Sequence, residues 1–271
     1  MSLSVNKRKI TIPDLQSQKG RGRIVCLTAY TTPVARLMDP YVDMILVGDS
    51  LAMVAYGMES TMKVSLEMMI AHTRAVVKGA SRACVIADMP FGSYEKSPEQ
   101  AFKNASRLLA ESGASGVKIE AGFEMLPTIR FLTQRGIPVT AHIGLLPQRA
   151  NQYGGFRIQG RTGQEREELV KLAKNIEMSG APLVLVEGVV ESVAREIVNS
   201  VAIPVIGIGA SPVCDGQVLV TDDILGLFSD FTPKFVKKYA HLSEEMENAF
   251  KNFAEEVRSG DFPTMEYCFK N

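Results

Sequence analysis

A (β/α)8 barrel carrying extra C-terminal helices is the fold this sequence predicts, and three observations predict it. Short Val-, Ile- and Leu-rich runs recur along the chain, the stretches between them carry apolar residues at helical spacing, and the 271-residue length suits a fold that typically takes ~250 residues. Strands buried on both faces of a parallel sheet read as unbroken apolar runs of this kind. A doubly wound open sheet is the other arrangement with the same pattern.

Residues 1–20 read as an N-terminal arm and helix. The predicted strands then follow as Ile24 to Thr28, Met44 to Val47, Cys84 to Ala87, Gly116 to Ile119, Pro138 to Ala141, Leu183 to Val186, Pro204 to Ile208 and Gln217 to Val220. Two of the intervening helices announce their own ends. Ser97-Pro98-Glu99-Gln100 sets a serine cap, a proline at the first helical position and a glutamine able to close a capping box, and Gly113 stops that helix. Thr162-Gly163-Gln164-Glu165 is a second predicted box, with Leu169, Leu172, Ala173 and Ile176 on one face before Gly180. Long irregular stretches, Ser50 to Lys63 and Gly144 to Arg161, follow the second and fifth strands, on the face where barrels build their sites. Pro233 to Arg258 reads as additional helix. No linker or repeat divides the chain, so residues 1–271 are expected to form a single domain.

Lys and Arg number 30 and Asp and Glu 30, leaving no net charge. That lacks the basic footprint which phosphate neutralisation requires, so nucleic acid is not an expected partner. No apolar run approaches the ~20 residues of a membrane span, and no apolar stretch follows the N-terminal basic residues, so a cytoplasmic location is expected. Cys26, Cys84, Cys214 and Cys268 lie far apart without a C-x-x-C pair and read as reduced thiols.

Chemistry concentrates where the apolar runs stop. Asp49 and Ser50 follow the second run, Asp88 the third, Glu120 the fourth and Glu187 the sixth, while His142 stands at the end of the fifth. In a barrel these positions converge on one pocket, and like charges crowded there require a cation or a shared proton. Carboxylates without cysteine form a hard oxygen site suited to Mg2+. Glu187, well round the barrel from the other acids, is a candidate general base. Lys118 shares the inward side of its strand with Glu120 and is placed either to bind a substrate carboxylate or to pair with the acids. His142 is open to three readings: a metal ligand, a donor to substrate, or a satisfied buried imidazole. His72 and His241 read as structural. Gly207-Ile208-Gly209-Ala210-Ser211 has the look of a phosphate loop but lacks the third glycine of the fingerprint, and Asp215-Gly216-Gln217 reads as a turn.

Together these segments resemble the ketopantoate hydroxymethyltransferase family nearly end to end. The resemblance is carried by Leu27-Thr28-Ala29-Tyr30, Leu46 to Leu51, Ala87-Asp88-Met89-Pro90-Phe91, Val117 to Glu120, His142 to Leu145 with Pro147-Gln148, Pro204 to Ala210 and Asp215 to Gln217. It implies transfer of a hydroxymethyl group from 5,10-methylenetetrahydrofolate to 3-methyl-2-oxobutanoate, giving 2-dehydropantoate on the route to pantothenate. At matching positions it implies a Mg2+ site at Asp49, Asp88 and Glu120, substrate binding by Asp49, Ser50, Asp88 and Lys118, an active-site histidine at His142 and a proton acceptor at Glu187. It further implies a ring-based homo-oligomer, commonly a decamer. Ser211 and Ala52 stand where the family usually has glycine. A Mg2+-dependent lyase or phosphonomutase of the isocitrate lyase type is the alternative enzyme, although its Lys-Lys-Cys-Gly-His loop is absent. A non-catalytic binding barrel leaves the converging carboxylates unexplained.

Overall fold

Parallel strands close into a barrel in strict chain order, from β1 (Ile24–Thr28) through β2 (Met44–Val47), β3 (Cys84–Asp88), β4 (Gly116–Glu120), β5 (Val139–Gly144), β6 (Leu183–Glu187) and β7 (Val205–Ile208) to β8 (Gly216–Leu219). The computed structural model describes residues 8–155, 157–227 and 232–270. Closure comes from β1 pairing with β8, Ile24 opposite Gly216 and Leu27 opposite Leu219. The barrel is thus realised, and the open sheet is not.

β1 and β2 have the predicted limits, whereas β3, β4 and β6 each run one residue further and take in Asp88, Glu120 and Glu187. Ladder hydrogen bonds belong to the backbone, so a polar side chain does not end a strand that still has a neighbour to pair with. For the same reason His142 lies inside β5, not at its end: the strand continues to Gly144, which pairs with Glu187.

Alternation along each strand sorts the core into two layers. Ile24, Cys26, Met44, Leu46, Cys84, Ile86, Leu183, Leu185, Ile206 and Val218 fill the barrel interior. The alternate residues of the strands, such as Ile45, Val85, Val117, Val139 and Val184, face the surrounding helices. Leu15, on the short helix Ile12–Gln16, joins the interior cluster beside residues that begin strands and so plugs the N-terminal end. That helix has a complete capping box between Thr11 and Asp14.

The two predicted boxes close differently. Ser97 and Thr162 do cap the helices Pro98–Ser112 and Gly163–Met178, accepting from the backbone of Gln100 and Glu165. The return bonds, however, reach one residue beyond the cap: Gln100 Oε1 accepts from the Lys96 N–H and Glu165 Oε2 from the Arg161 N–H. The long stretches expected to be irregular contain short helices, Leu51–Val54 and Ala150–Tyr153, and 3-10 turns at Thr61–Lys63 and Pro147–Arg149.

The chain divides into two compact units, Met1–Val220 and Thr221–Asn271. The second unit contains the helices Thr221–Ile224 and Leu242–Ser259. The predicted helix from Pro233 begins only at Leu242, because the preceding backbone folds back, the Tyr239 N–H donating to the Ile224 carbonyl. His241 therefore sits at the N-cap and not in the helix. Among the described residues no helix is long and apolar enough to cross a membrane.

Candidate active site

The interior series changes character along its length. Residues 84 and 86 of β3 are apolar and 88 is an aspartate; residues 183 and 185 of β6 are apolar and 187 is a glutamate. Lys118 and Glu120 of β4 and Thr140 and His142 of β5 continue the same inward set, and all four are buried. β3 and β6 thus contribute a greasy base and a polar tip, β4 and β5 contribute polar side chains along the same inward row, and the tips of β3 to β6 meet at the carboxyl end of the barrel. Asp49 and Ser50 enter from the turn after β2.

Lys118 Nζ lies 2.8 Å from Asp88 Oδ2, and both side chains are almost fully buried. The Asp49 N–H donates to the same Asp88 oxygen at 3.0 Å, fixing the turn after β2 against β3. Gln148, from the loop after β5, ties the remaining acids together. Its backbone N–H donates to Glu120 Oε1 at 2.9 Å, and its Nε2 donates to Asp49 Oδ2 at 2.8 Å and to the Met89 carbonyl at 3.0 Å. The Tyr94 hydroxyl donates to Gln148 Oε1 at 2.6 Å and accepts from the Glu120 N–H at 3.2 Å. The sequence points to neither Gln148 nor Tyr94 by role: Pro147-Gln148 stands out only as part of a resemblance, and Tyr94 not at all.

Burial sets the electrostatics of this cluster. It pushes the Asp88 carboxyl up to about 7, against the opposing pull of Lys118. It pushes Glu120 up to about 8, again against Lys118 and the Gln148 N–H. For Lys118 burial acts downward, but Asp88, Asp49 and Glu120 outweigh it and hold the ammonium above its ordinary range. Burial lowers the His142 imidazole below its ordinary range, although Glu187 beside it acts the other way. Its Nε2 lies 3.2 Å from Glu187 Oε2 but off the line of a hydrogen bond.

Among the described residues two carboxylate oxygens are buried without a partner, Asp88 Oδ1 and Glu120 Oε2. An orphaned buried oxygen is costly unless something else fills its coordination. Among the described residues no three His, Cys, Asp or Glu side chains form a ready-made cage for a metal. Mg2+ does not need one, since it retains several waters and is usually held by one or two carboxylates plus substrate oxygens. The free oxygens are therefore donors of the right kind.

The other sequence-predicted groups fall out as follows. Ser50 Oγ is 2.9 Å from the Tyr30 hydroxyl. His72 links Tyr56, 2.8 Å from Nε2, to the Tyr30 carbonyl, which accepts from Nδ1 at 2.7 Å, a structural tie as expected. In the glycine loop after β7 the Ser211 hydroxyl donates to Glu191 Oε1 at 2.7 Å, and a carboxylate there opposes a phosphate. Asp215 is more than a turn residue: buried, it accepts from Lys19 Nζ, the Gly20 N–H and the Val205 N–H.

A family model described as ketopantoate hydroxymethyltransferase matches residues 9–265. The chain belongs to the ketopantoate hydroxymethyltransferase family. Within it, a 3-methyl-2-oxobutanoate hydroxymethyltransferase 1 of Hahella chejuensis is 58% identical over 269 residues, spanning 99% of this chain and 97% of the relative. A 3-methyl-2-oxobutanoate hydroxymethyltransferase of Rhizobium rhizogenes is 56% identical over 270 residues, spanning 100% of this chain and 99% of the relative. Membership of the ketopantoate hydroxymethyltransferase family makes the protein an enzyme of the transferase class. The fold reaches further than the sequence: phosphonopyruvate hydrolase in complex with oxalate and Mg2+ superposes with a TM-score of 0.58 at 14% identity, over 94% of this chain and 92% of that one.

Proposed function

We propose that the protein transfers a hydroxymethyl group from 5,10-methylenetetrahydrofolate to 3-methyl-2-oxobutanoate, giving 2-dehydropantoate for pantothenate and coenzyme A synthesis, with Glu187 as the base. One observation carries the assignment of the base. The Glu187 side chain is 18% exposed, whereas that of Asp88, deeper in the same cluster, is 2% exposed. A base must reach a substrate arriving from solvent, and a deep, orphaned carboxylate is better placed to hold a cation.

Asp49, Asp88 and Glu120 would hold Mg2+, which supplies positive charge where negative charge develops on a ketone oxygen. Lys118 offsets the carboxylate of the oxo acid, and Asp49, Ser50, Asp88 and His142 line the same space. Glu187 takes the proton from C3. His142 borders Glu187, its Nε2 3.2 Å from Glu187 Oε2. The C3 carbanion, in its enolate form, bonds to the methylene carbon as one of that carbon's bonds to a folate nitrogen breaks. Water then displaces the second nitrogen, leaving the hydroxymethyl group, and the two nitrogens take the proton lost from C3 and one from water as tetrahydrofolate departs. Tyr56, Phe91, Phe123 and Ile158 are exposed in the loops after β2 to β5 and offer apolar cover for a pterin. The buried reduced thiols of Cys26, Cys84 and Cys214 suit a cytoplasmic enzyme.

Proton NMR of 3-methyl-2-oxobutanoate in D2O tests the reading. The expected result is loss of the C3 proton signal with protein and Mg2+, its retention with EDTA, and 2-dehydropantoate once methylenetetrahydrofolate is added. Folded, metal-supplied protein that gives neither exchange nor product would overturn it.

A further inference from the structure

Gln148 occupies an unusual position for a loop residue: it is 3% exposed, and its backbone N–H and both ends of its carboxamide are bonded. A primary amide has one end that only accepts and one that only donates, so its orientation matters. Here Tyr94 fixes it. The Tyr94 hydroxyl accepts from the Glu120 N–H, which turns its own proton toward Gln148 Oε1. The amide nitrogen is thereby turned toward Asp49 Oδ2, while the backbone N–H of the same residue holds Glu120 Oε1.

We propose that Gln148, oriented by Tyr94, is a positioning residue that holds Asp49 and Glu120 in one fixed arrangement for a divalent cation. The inference rests on the metal assignment made above. Each carboxylate has one oxygen engaged by Gln148, and the engagement of Glu120 Oε1 leaves Oε2 as the buried oxygen without a partner. Asp88 is held in the same way by different groups, Lys118 and the Asp49 N–H taking Oδ2 and leaving Oδ1. The common result is one tethered and one free oxygen on each of two acids. Groups that orient metal ligands from behind typically contribute 10- to 100-fold in affinity.

The test is Mn2+ binding, measured by titration calorimetry and by the loss of the free-ion EPR signal, with no folate and no turnover. Gln148→Met keeps the length and apolar stem but removes the donor to Asp49; Tyr94→Phe keeps the ring but removes the hydroxyl that orients the amide. Asp49→Asn serves as the benchmark for a lost ligand. With thermal midpoints close to the parent, both variants should bind Mn2+ about 10-fold or more weakly. Unchanged affinity in a folded Gln148→Met overturns the proposal, and if that variant does not fold, Tyr94→Phe decides in the same way. A parent protein that binds no Mn2+ removes the metal assignment and this proposal together, an outcome distinct from a parent that binds and variants that bind equally.

Discussion

Glu187 and His142 show how two neighbouring groups acquire different work from their surroundings. Burial pushes the imidazole pKa down, while the glutamate retains contact with solvent at the end of β6. Glu187→Gln preserves shape and removes the base, so C3 proton exchange should fall by about 100-fold or more. Binding of 3-methyl-2-oxobutanoate with Mg2+, followed by calorimetry, should stay within a few-fold of the parent. Full exchange in that variant would move the base elsewhere. At this scale the acids were legible because each closes an apolar run, and Lys118 because it shares the inward side of its strand with Glu120. Gln148 and Tyr94 were not, since their roles depend on which strand ends the closed barrel brings within hydrogen-bonding reach of them, and no local spacing encodes that.

The strands and their turns set the precision of the site. Gly144 ends β5 with φ of 96°, a left-handed conformation, and a Cβ there would lie 2.3 Å from the Glu187 carbonyl and 2.6 Å from Val189 Cγ2. The following N–H, of Leu145, donates to that same Glu187 carbonyl at 2.8 Å. Gly144→Ala should therefore cost about 1–3 kcal/mol from backbone strain alone, read from urea unfolding. It should also displace the end of β6 and lower C3 exchange, an effect that a purely global loss of stability would not produce at temperatures where the variant is folded. Element identity was readable from periodicity, as the unchanged limits of β1 and β2 show. Limits failed where side-chain polarity and backbone pairing diverge, as at Asp88 and Glu120, whereas the helix starts after Ser97 and Thr162 held and only the return bonds of their boxes moved, to Lys96 and Arg161.

At the scale of the molecule, the second unit presents a helix, Leu242–Ser259, with no buried residue. Met246, Phe250, Phe253 and Val257 are all exposed along it at helical spacing. An apolar stripe of that kind is usually covered in the working protein, and we propose that it is covered by self-association. Light scattering should give a mass several times the 29.6 kDa of one chain, and Phe250→Asp with Phe253→Asp should reduce it. Monomeric parent protein would refute this. The barrel has a different consequence for the protein while it is being synthesised. Asp49 and Gln148 are 99 positions apart, and Glu120 and Gln148 28. Until β5 and its loop have left the ribosome, Asp49 and Glu120 lack the residue that later holds them and stay open to water. Inward-pointing charges on an unfinished sheet discourage its open edge from pairing with another chain. The carboxylates that later gather at the mouth of the barrel thus protect the half-made barrel from aggregation.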